Sequence, residues 1–266
     1  MFESFYEMMK TPFTRGLPAE SLYMPPEFVE VRERLIYIAE RQLFAVVTGD
    51  CGTGKTTVVR SFSERLDKNR YKFLYVSDSK LTPRNFYRLL LEQMGFVPGY
   101  NRGDLKRQLH GEIEIMGAVH GLKPVCVCDE AHLMNREMLE EIRFLLNTHL
   151  DSRSPLGLIL VGQTELWQKL KLQAFTAIRQ RIDVQSVLNY YDRSQSGAYI
   201  KSHLAYAGIE NDIFTDAALD EIHQFTAGCA RMIDKICTSL LIYGSQSRLR
   251  LIDDRAVRTV LEGEYS

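Results

Sequence analysis

The sequence predicts an α/β fold: a five-stranded parallel sheet with helices on both faces, followed by a small all-helical domain. Three observations lead to this prediction. Short β-rich apolar runs alternate with helical stretches, the runs are apolar at successive positions, and no strand-like run follows Tyr191. At 266 residues, with 45% hydrophobic and 25% charged residues, the chain is long enough for one or two domains with a full core.

Each predicted element follows from a local pattern. The predicted strands are the apolar runs at 43–48, 73–77, 124–128, 158–162 and, more weakly, 182–187. Beyond them, helical periodicity predicts helices at 194–208, 215–227, 229–244 and 253–262. Gly208 and Gly244 are candidate stop signals, and Asp216 and Asp253 are candidate N-caps. The predicted organisation is a proline-containing lead-in at 1–30, an α/β domain at 31–191 and a helical domain at 192–266.

Composition excludes several classes of protein. The net charge of −1 excludes a polycation, and no apolar run approaches the roughly 18 residues that cross a bilayer. Residues 1–12 carry Glu3 and Glu7 and lack the pattern of a secretory signal. Five cysteines, of which Cys126 and Cys128 lie in an apolar run, predict reduced core thiols rather than disulfides or a metal site. We therefore expect a cytoplasmic protein with no membrane partner.

The strongest motif is G-D-C-G-T-G-K-T at 49–56, which fits the spacing G-x-x-x-x-G-K-[ST] of a phosphate-binding loop. It follows a predicted strand and opens a predicted helix, a context that a chance Gly-rich turn would lack. Backbone N–H groups would hold a polyphosphate, Lys55 would contact its β and γ phosphates, and Thr56 would ligate Mg2+. The candidate ATP-binding residues are Gly49, Asp50, Cys51, Gly52, Thr53, Gly54, Lys55, Thr56 and Thr57.

Two adjacent carboxylates, Asp129 and Glu130, end the third predicted strand. Asp129 would hold Mg2+, directly or through a water, and Glu130 would polarise the attacking water. The alternative interpretation is a solvated strand end. The tetrapeptide at 129–132 is also similar to a helicase box, but the chain is too short for two helicase domains, and His132 is better interpreted as a helix-start residue.

Polar residues elsewhere add candidates for a γ-phosphate site. Gln163 and Thr164 follow the fourth predicted strand, so either would lie near that phosphate, unless they form a plain strand-end turn. Arg179 and Arg181 precede the last strand, and Arg231 begins a helix of the second domain. An arginine fork suits a phosphate whose charge must be stabilised during transfer, whereas spacing alone would make each a surface arginine.

The set of motifs resembles the AAA+ ATPases, and within them the ExeA-type branch. That branch includes the ATPase partners of DDE transposases and a secretion ATPase. The resemblance is carried by Phe5, residues 11–13, the region of Leu35, and residues 52–57, 129–132, 161–166, 180–182 and 228–231. It implies a P-loop NTPase fold in which the helical domain acts as a lid.

The resemblance also implies roles for single residues. Asp129 and Glu130 match the second nucleotide-binding motif, Gln163 matches the first sensor, and Arg231 matches the second sensor. Arg181 matches the finger arginine that a neighbouring subunit inserts, with Arg179 as its rival. Such a finger implies a ring or helical homo-oligomer with six or more subunits per turn, and ATP and Mg2+ as ligands.

A basic segment is the candidate DNA surface. Residues 60–123 hold twelve Lys and Arg against seven Asp and Glu, and the resemblance implies that this part of the chain contacts the backbone of duplex DNA. The alternative is a set of solvated helix faces. The candidate contacts are Lys80, Arg84, Arg88, Arg102, Lys106 and Arg107.

The resemblance favours an ATPase that oligomerises on duplex DNA and recruits or regulates a DDE transposase. Two other functions stay open. One is a secretion or protein-assembly ATPase that binds no DNA, and the other is a nucleotide-switched regulator with negligible turnover.

Overall fold

The computed structural model of the chain describes residues 2–14, 16–78, 80–146 and 154–264. Residue 1 and residues 265–266, the ends of the predicted lead-in and helical domain, lie outside the described residues. The chain forms two compact units. The sheet unit comprises Pro26–Asp50 and Lys55–Leu188, and the helical unit comprises the residues before Pro26, the segment Cys51–Gly54 and the chain from Asn189 onward.

The predicted α/β fold is confirmed. The strands are β1 (Phe44–Gly49), β2 (Tyr71–Val76), β3 (Lys123–Cys128), β4 (Gly157–Gly162) and β5 (Val184–Leu188). They form one sheet in the order β2-β3-β4-β1-β5, and every neighbouring pair is parallel. β1 and β4 lie inside the sheet and are buried along their whole length, which explains why their sequences are apolar at successive positions.

Helices connect the strands and form the second unit. In chain order they are α1 (Phe2–Phe5), α2 (Pro26–Arg41), α3 (Lys55–Arg65), α4 (Pro83–Met94), α5 (Arg102–His120), α6 (Arg136–Leu145), α7 (Thr164–Lys171), α8 (Thr176–Arg179), α9 (Arg193–Tyr206), α10 (Asp216–Thr226), α11 (Ala230–Gln246) and α12 (Asp254–Glu264). Because α2 begins at Pro26, residues 26–30 of the predicted lead-in are helical. Within the described ranges, no helix is long and apolar enough to cross a membrane.

The main core lies under the helices that follow β2, β3 and β4. Alternate strand residues such as Val46, Leu74 and Cys126 pack in one cluster with α4, α5, α6 and α7. α2 and α3 also contact the sheet. Because successive strand side chains point to opposite faces, the equally buried Ala45 and Val47 face away from that cluster.

Helix ends in the helical unit partly follow the sequence signals. Gly208 follows α9 with a φ of 88°, and Asp253 accepts the backbone N–H of Ala256, so both signals are confirmed. The prediction for Asp216 is wrong by one residue, because Thr215 caps α10 by accepting the N–H of Ala218. Gly244 is not a stop signal, since α11 continues to Gln246.

Gly244 serves packing rather than termination. A Cβ there would collide with the hydroxyl of Tyr6, and that hydroxyl donates to the carbonyl of Leu249 at 2.9 Å. Tyr6 belongs to the segment before Pro26, which packs on the helices of its unit through the buried residues Phe2, Tyr6, Phe13 and Leu17. The glycine therefore makes room for the N-terminal segment.

The cysteines differ in their environments. Cys126, Cys128 and Cys237 are buried thiols, as predicted. Cys51 is exposed and Cys229 is half-buried, so for these two the prediction of core thiols is wrong. Their positions, one in the phosphate-loop motif and one before α11, lie outside the apolar runs on which the prediction rested.

His203 fixes the N-terminal segment onto α9. Its Nδ1 accepts the backbone N–H of Phe13 at 3.0 Å, and the two rings stack with centroids 5.1 Å apart. The ring of Tyr199 packs on the imidazole with its centroid at 4.4 Å. Burial lowers the pKa of His203 from 6.5 to about 4.

This pKa predicts an acid-sensitive stability. Unfolded His203 gains a proton as the pH falls below 6.5, whereas the folded residue resists protonation until about pH 4, so acidification across this interval favours unfolding. His203→Asn keeps an acceptor for Phe13 but cannot titrate. We expect the free energy of unfolding of the parental protein to fall about 3 kcal/mol more than that of the variant across the interval, measured by urea unfolding. If the free energy of unfolding of the two proteins changed equally with pH, His203 would not be the cause of the acid sensitivity.

Candidate functional site

The polar residues that follow β1, β3 and β4 meet at one edge of the sheet. Register pairs Thr48 with Gly162 and Cys128 with Leu160, so the three strands end at similar heights. Because the strands are parallel, the residues just beyond them share the carboxyl edge of the sheet. Asp50, Asp129 and Gln163 are the first residues beyond these strands.

Lys55 is the first residue of α3 and is buried. Its Nζ donates to the carbonyls of Gly49 and Asp50 at 2.8 and 2.9 Å. Thr56 and Thr57 follow in the first turn of α3, and Thr56 is exposed. The ammonium group and the N-terminus of an eleven-residue helix therefore lie next to the end of β1, a combination that suits an anion.

Thr164 ties the segment beyond β4 to the residue beyond β1. Its Oγ1 donates to Oδ1 of Asp50 at 2.7 Å. The structure thus brings two predicted residues together, although the sequence alone did not predict that they would pair. Gln163, the predicted sensor, lies between Gly162 and Thr164 at the start of α7.

Both oxygens of Asp129 have donors, and the residue is buried. Oδ1 accepts the backbone N–H of Glu130 at 2.8 Å, and Oδ2 accepts the hydroxyl of Tyr75 at 2.6 Å. Burial and the hydrogen bond to Asp129 raise the pKa of Tyr75, which keeps the phenol protonated as a donor. Sequence reasoning missed Tyr75, whose only signal was a polar hydroxyl on the predicted strand at 73–77.

Glu130 has a left-handed backbone conformation with a φ of 51°. Such a conformation is costly for a residue with a side chain and is common at functional sites. Its carboxylate is partly exposed, and Oε2 lies 3.6 Å from Nδ1 of His132. That nitrogen is also 3.4 Å from the backbone N–H of Gln163, so the imidazole lies between Glu130 and Gln163.

Gly162 permits this approach of two segments. A Cβ at Gly162 would lie 3.0 Å from the backbone nitrogen of His132 and 3.0 Å from a methyl of Leu166. A side chain would therefore push the turn at 131–133 away from the end of β4.

In the helical unit, Cys51 of the loop motif contacts three residues of the C-terminal part of the chain. Arg231 Nη1 lies 3.2 Å from Cys51 Sγ, Tyr190 donates to the Cys51 carbonyl at 3.2 Å, and Cys229 Sγ lies 3.8 Å from the same carbonyl. Gly52 has a φ of 87°, and a Cβ there would collide with Cys229 Sγ. The loop glycine is therefore required both by its backbone conformation and by its neighbour.

The two candidate finger arginines lie away from the carboxyl edge. Arg179 ends α8, and its Nη1 donates to the carbonyl of Lys171 at 2.8 Å. Arg181 precedes β5, near Asp183, whose backbone N–H donates to Phe44 at the start of β1. Arg181 therefore lies toward the amino edge of the sheet, opposite the edge that carries Asp129.

Comparison with known proteins decides the family. The model of the family described as "AAA domain" matches residues 38–170, half of the chain. The chain belongs to the AAA domain family. It is accordingly an AAA+ P-loop ATPase by family, with the nucleotide-binding role that the phosphate loop predicts.

One curated relative matches almost the whole chain. General secretion pathway protein A of Aeromonas hydrophila is 29% identical over 244 residues, which are 91% of this chain and 44% of that protein. This match supports the ExeA-type branch of the resemblance. The chain spans less than half the length of this relative.

Solved structures share the fold. The chain is similar to Cdc6p from Pyrobaculum aerophilum, with a TM-score of 0.71 and 16% identity over 98% of this chain and 70% of that one. It is similar to the Drosophila ORC bound to DNA, with a TM-score of 0.71 and 17% identity over 100% and 66% of the two chains. The chain is also similar to the Thermotoga maritima RuvB Holliday junction branch migration motor, with a TM-score of 0.60 and 17% identity over 88% of this chain and 68% of that one.

Within the AAA domain, the candidate DNA residues lie on or just before α4 and α5. Lys80 precedes α4, Arg84 and Arg88 lie on α4, and the other three lie on α5. Arg84 donates to the Tyr100 carbonyl at 3.0 Å and lies over that ring. Four of the other candidates form ion pairs: Arg88 with Glu92, Arg102 with Glu137 and Glu141, Lys106 with Glu141, and Arg107 with Asp104.

Glu141 is the buried centre of these pairs. Burial alone would raise the pKa of its carboxyl, but hydrogen bonds from Tyr87, Lys106 and Arg102 together lower it. Tyr87 is fully buried, whereas Tyr100 is 80% exposed. Of the two tyrosines between residues 78 and 110, Tyr100 is therefore the one that a ligand could reach.

The bond between Asp50 and Thr164 generates a prediction for this AAA domain. Thr164→Val removes the hydroxyl and keeps the shape, while Thr164→Ser keeps the hydroxyl. We expect Thr164→Val to weaken the affinity for a fluorescent ATP analogue about fivefold, because one hydrogen bond that orders the loop is lost. Thr164→Ser should bind like the parental protein, and equal affinities for all three proteins would contradict a role for this bond.

Proposed function

We propose that this protein binds and hydrolyses ATP with Mg2+, assembles as a ring or helical homo-oligomer on duplex DNA, and recruits or regulates a DDE transposase. The observation that carries the ATPase part is the convergence of Lys55, Asp129 and Gln163 at one edge of a parallel sheet. Family membership makes this edge the expected nucleotide site. The DNA part depends on the exposed cations of α4 and α5.

The residues present fit a magnesium ion. Mg2+ prefers oxygen ligands and keeps several of its waters. Thr56 offers a hydroxyl in the first turn of α3, and Asp129 offers a carboxylate whose orientation is fixed by two donors. We propose that these two residues hold the ion, which would neutralise phosphate charge when bound.

The remaining site residues have distinct proposed tasks. Lys55 would exchange its backbone carbonyl partners for phosphate oxygens. Glu130 would orient and polarise the attacking water, and its strained, partly exposed position supports that role. Gln163, held by its backbone to His132, would sense the γ-phosphate.

Two arginines would complete the site. Arg231 is supported as the second sensor by its contact with Cys51 of the loop. Arg181 is favoured over Arg179 as the finger given to a neighbouring subunit, because Arg181 matches the finger arginine of the sequence resemblance. The location of Arg181 toward the amino edge of its own sheet suits a group that acts on another subunit, and the oligomer follows from that role.

The proposed DNA surface consists of Lys80, Arg84, Arg88, Arg102, Lys106 and Arg107. Arg107 is 79% exposed and Arg88 is 57% exposed, so duplex phosphates could reach both. Cations of this kind bind the DNA backbone without reading sequence. Similarity to the Drosophila ORC bound to DNA supports this part of the proposal as an analogy of fold.

The relative from Aeromonas hydrophila favours a second candidate function. Its name links it to general secretion, and the similarity extends over 91% of this chain. A secretion or protein-assembly ATPase would use the same nucleotide site and would ignore DNA. The transposase partner is supported by the sequence resemblance alone. We also propose that the protein acts in the cytoplasm, where a transposase would meet DNA.

One experiment separates these functions. The purified protein is analysed by size-exclusion chromatography with light scattering, with and without random duplex DNA, a non-hydrolysable ATP analogue and Mg2+. A large, analogue-dependent complex that contains DNA and weakens with salt is expected. An analogue-dependent oligomer without DNA would favour the secretion function, and a monomer in every condition would contradict the role of Arg181. Stimulation of hydrolysis by a DDE transposase would then test the partner.

Glu130→Gln should separate binding from hydrolysis. We expect ATP hydrolysis to fall about a hundredfold or more, because the amide cannot act as the general base. ATP-dependent assembly should persist, whereas Lys55→Ala should lose both assembly and nucleotide binding. Phosphate release by Glu130→Gln at the parental rate would exclude the proposed role.

Arg84→Ala and Arg107→Ala should weaken DNA binding and flatten its salt dependence. Each lost phosphate contact should lower the slope of log affinity against log salt by about 0.9. Arg136→Ala is the matched control, because Arg136 is a 70% exposed arginine of α6 that pairs with Glu140 on its own helix. Fluorescence anisotropy with a labelled duplex measures all three, and an equal effect of Arg136→Ala would argue against a defined surface.

A further inference from the structure

Tyr75 lies on β2, at the edge of the sheet. Its hydroxyl reaches across to Asp129, which follows the neighbouring strand β3, and donates to Oδ2 at 2.6 Å. Its ring stacks on Phe73 of the same strand, with an interplanar angle of 16°. The phenol is therefore held between its own strand and the carboxylate.

The backbone of Tyr75 is held from outside the sheet. Among the described residues, β2 is an edge strand, with one side that no strand partner covers. At Tyr75, the side-chain amide of Gln93 from α4 replaces that partner: its Oε1 accepts the Tyr75 N–H at 2.9 Å, and its Nε2 donates to the Tyr75 carbonyl at 2.8 Å. Both main-chain groups of one residue are thus satisfied by one side chain, which fixes the position of Tyr75 along the edge.

We propose that Tyr75 is a positioning residue for Asp129, and that Gln93 of α4 acts on Asp129 through Tyr75. This inference rests on the proposed role of Asp129 in holding Mg2+. It adds a chain of contacts from Gln93 through Tyr75 to the carboxylate, and every link is a hydrogen bond or a covalent connection.

The physical argument concerns orientation. The N–H of Glu130 donates to Oδ1 and the phenol donates to Oδ2, so the two donors together resist rotation of the carboxylate about the Cβ–Cγ bond. The phenol occupies Oδ2 and directs the remaining lone pairs of Asp129. Partners that orient a metal ligand in this way typically change metal affinity by about 10- to 100-fold.

The test uses variants that change one link each. Tyr75→Phe keeps the ring and removes the hydroxyl, Gln93→Ala removes both amide contacts, and the double variant removes both links. Tyr71→Phe is the matched control, because Tyr71 lies on the same strand but pairs in register with Lys123, at the end of β3 opposite to Asp129. ADP affinity is measured by fluorescence against Mg2+ concentration and in the presence of a chelator, so the readout does not depend on hydrolysis.

We expect Tyr75→Phe to raise the half-saturating Mg2+ concentration about tenfold while the affinity in chelator stays parental. Gln93→Ala should raise the half-saturating Mg2+ concentration by a smaller factor. The double variant should show the same concentration as Tyr75→Phe, because Gln93 acts through Tyr75. A general structural defect would instead lower the affinity in chelator too.

Three results would overturn the inference. If Tyr75→Phe behaves like Tyr71→Phe, Tyr75 does not position Asp129. If the effects of Tyr75→Phe and Gln93→Ala add, Gln93 acts by another route. If the ADP affinity of the parental protein does not change with Mg2+ concentration, the proposed metal role of Asp129 is wrong, and the inference fails with it. This outcome is distinguishable from the first two, because it appears in the parental protein.

Discussion

The parallel pairing of β1 with β4 and of β4 with β3 is the constraint on which the candidate site depends. Parallel strands in register end at one edge, so the residues that follow them are brought together whatever their separation in the chain. Asp50 and Thr164 are 114 positions apart and share a hydrogen bond for this reason. Burial of both faces of β1 and β4 then makes the register hard to change, since a shift would carry polar strand-end residues into the core.

Orientation at that edge comes from hydrogen bonds outside the motifs. Asp129 is held by the Tyr75 hydroxyl and by the N–H of Glu130, and Gln163 is held through His132. Glu130 takes a left-handed conformation that the tight turn after β3 imposes. The energy that offsets this strain comes from the buried strand and from the turn at 131–133, whose Ala131 is fully buried. The geometry of the candidate site is thus supported by ordinary core packing.

The sequence predicts the strands and the phosphate loop well because their signals are local. An apolar run of five or six residues reports a strand buried on both faces, and the glycines of the loop report its backbone conformation. Tyr75, Thr215 and Gly244 could not be predicted in the same way. The bond from Tyr75 to Asp129 and the fit of Gly244 to Tyr6 join residues distant in the chain. Thr215 competes with the adjacent Asp216 for the cap, and the backbone geometry decides which residue wins.

The proposed DNA surface is partly neutralised within the subunit, and this bears on how it would act. Arg88 and Arg107 each pair with an exposed carboxylate, so a phosphate must compete with an existing partner at each position. Exposed pairs of this kind are weak, typically worth about 0–1 kcal/mol, so exchange is feasible but the gain per contact is small. One subunit would then bind DNA weakly, whereas subunits joined in an assembly bring many such contacts to one duplex at high effective concentration. Under the proposed function, ATP-dependent assembly and stable DNA binding would therefore occur together.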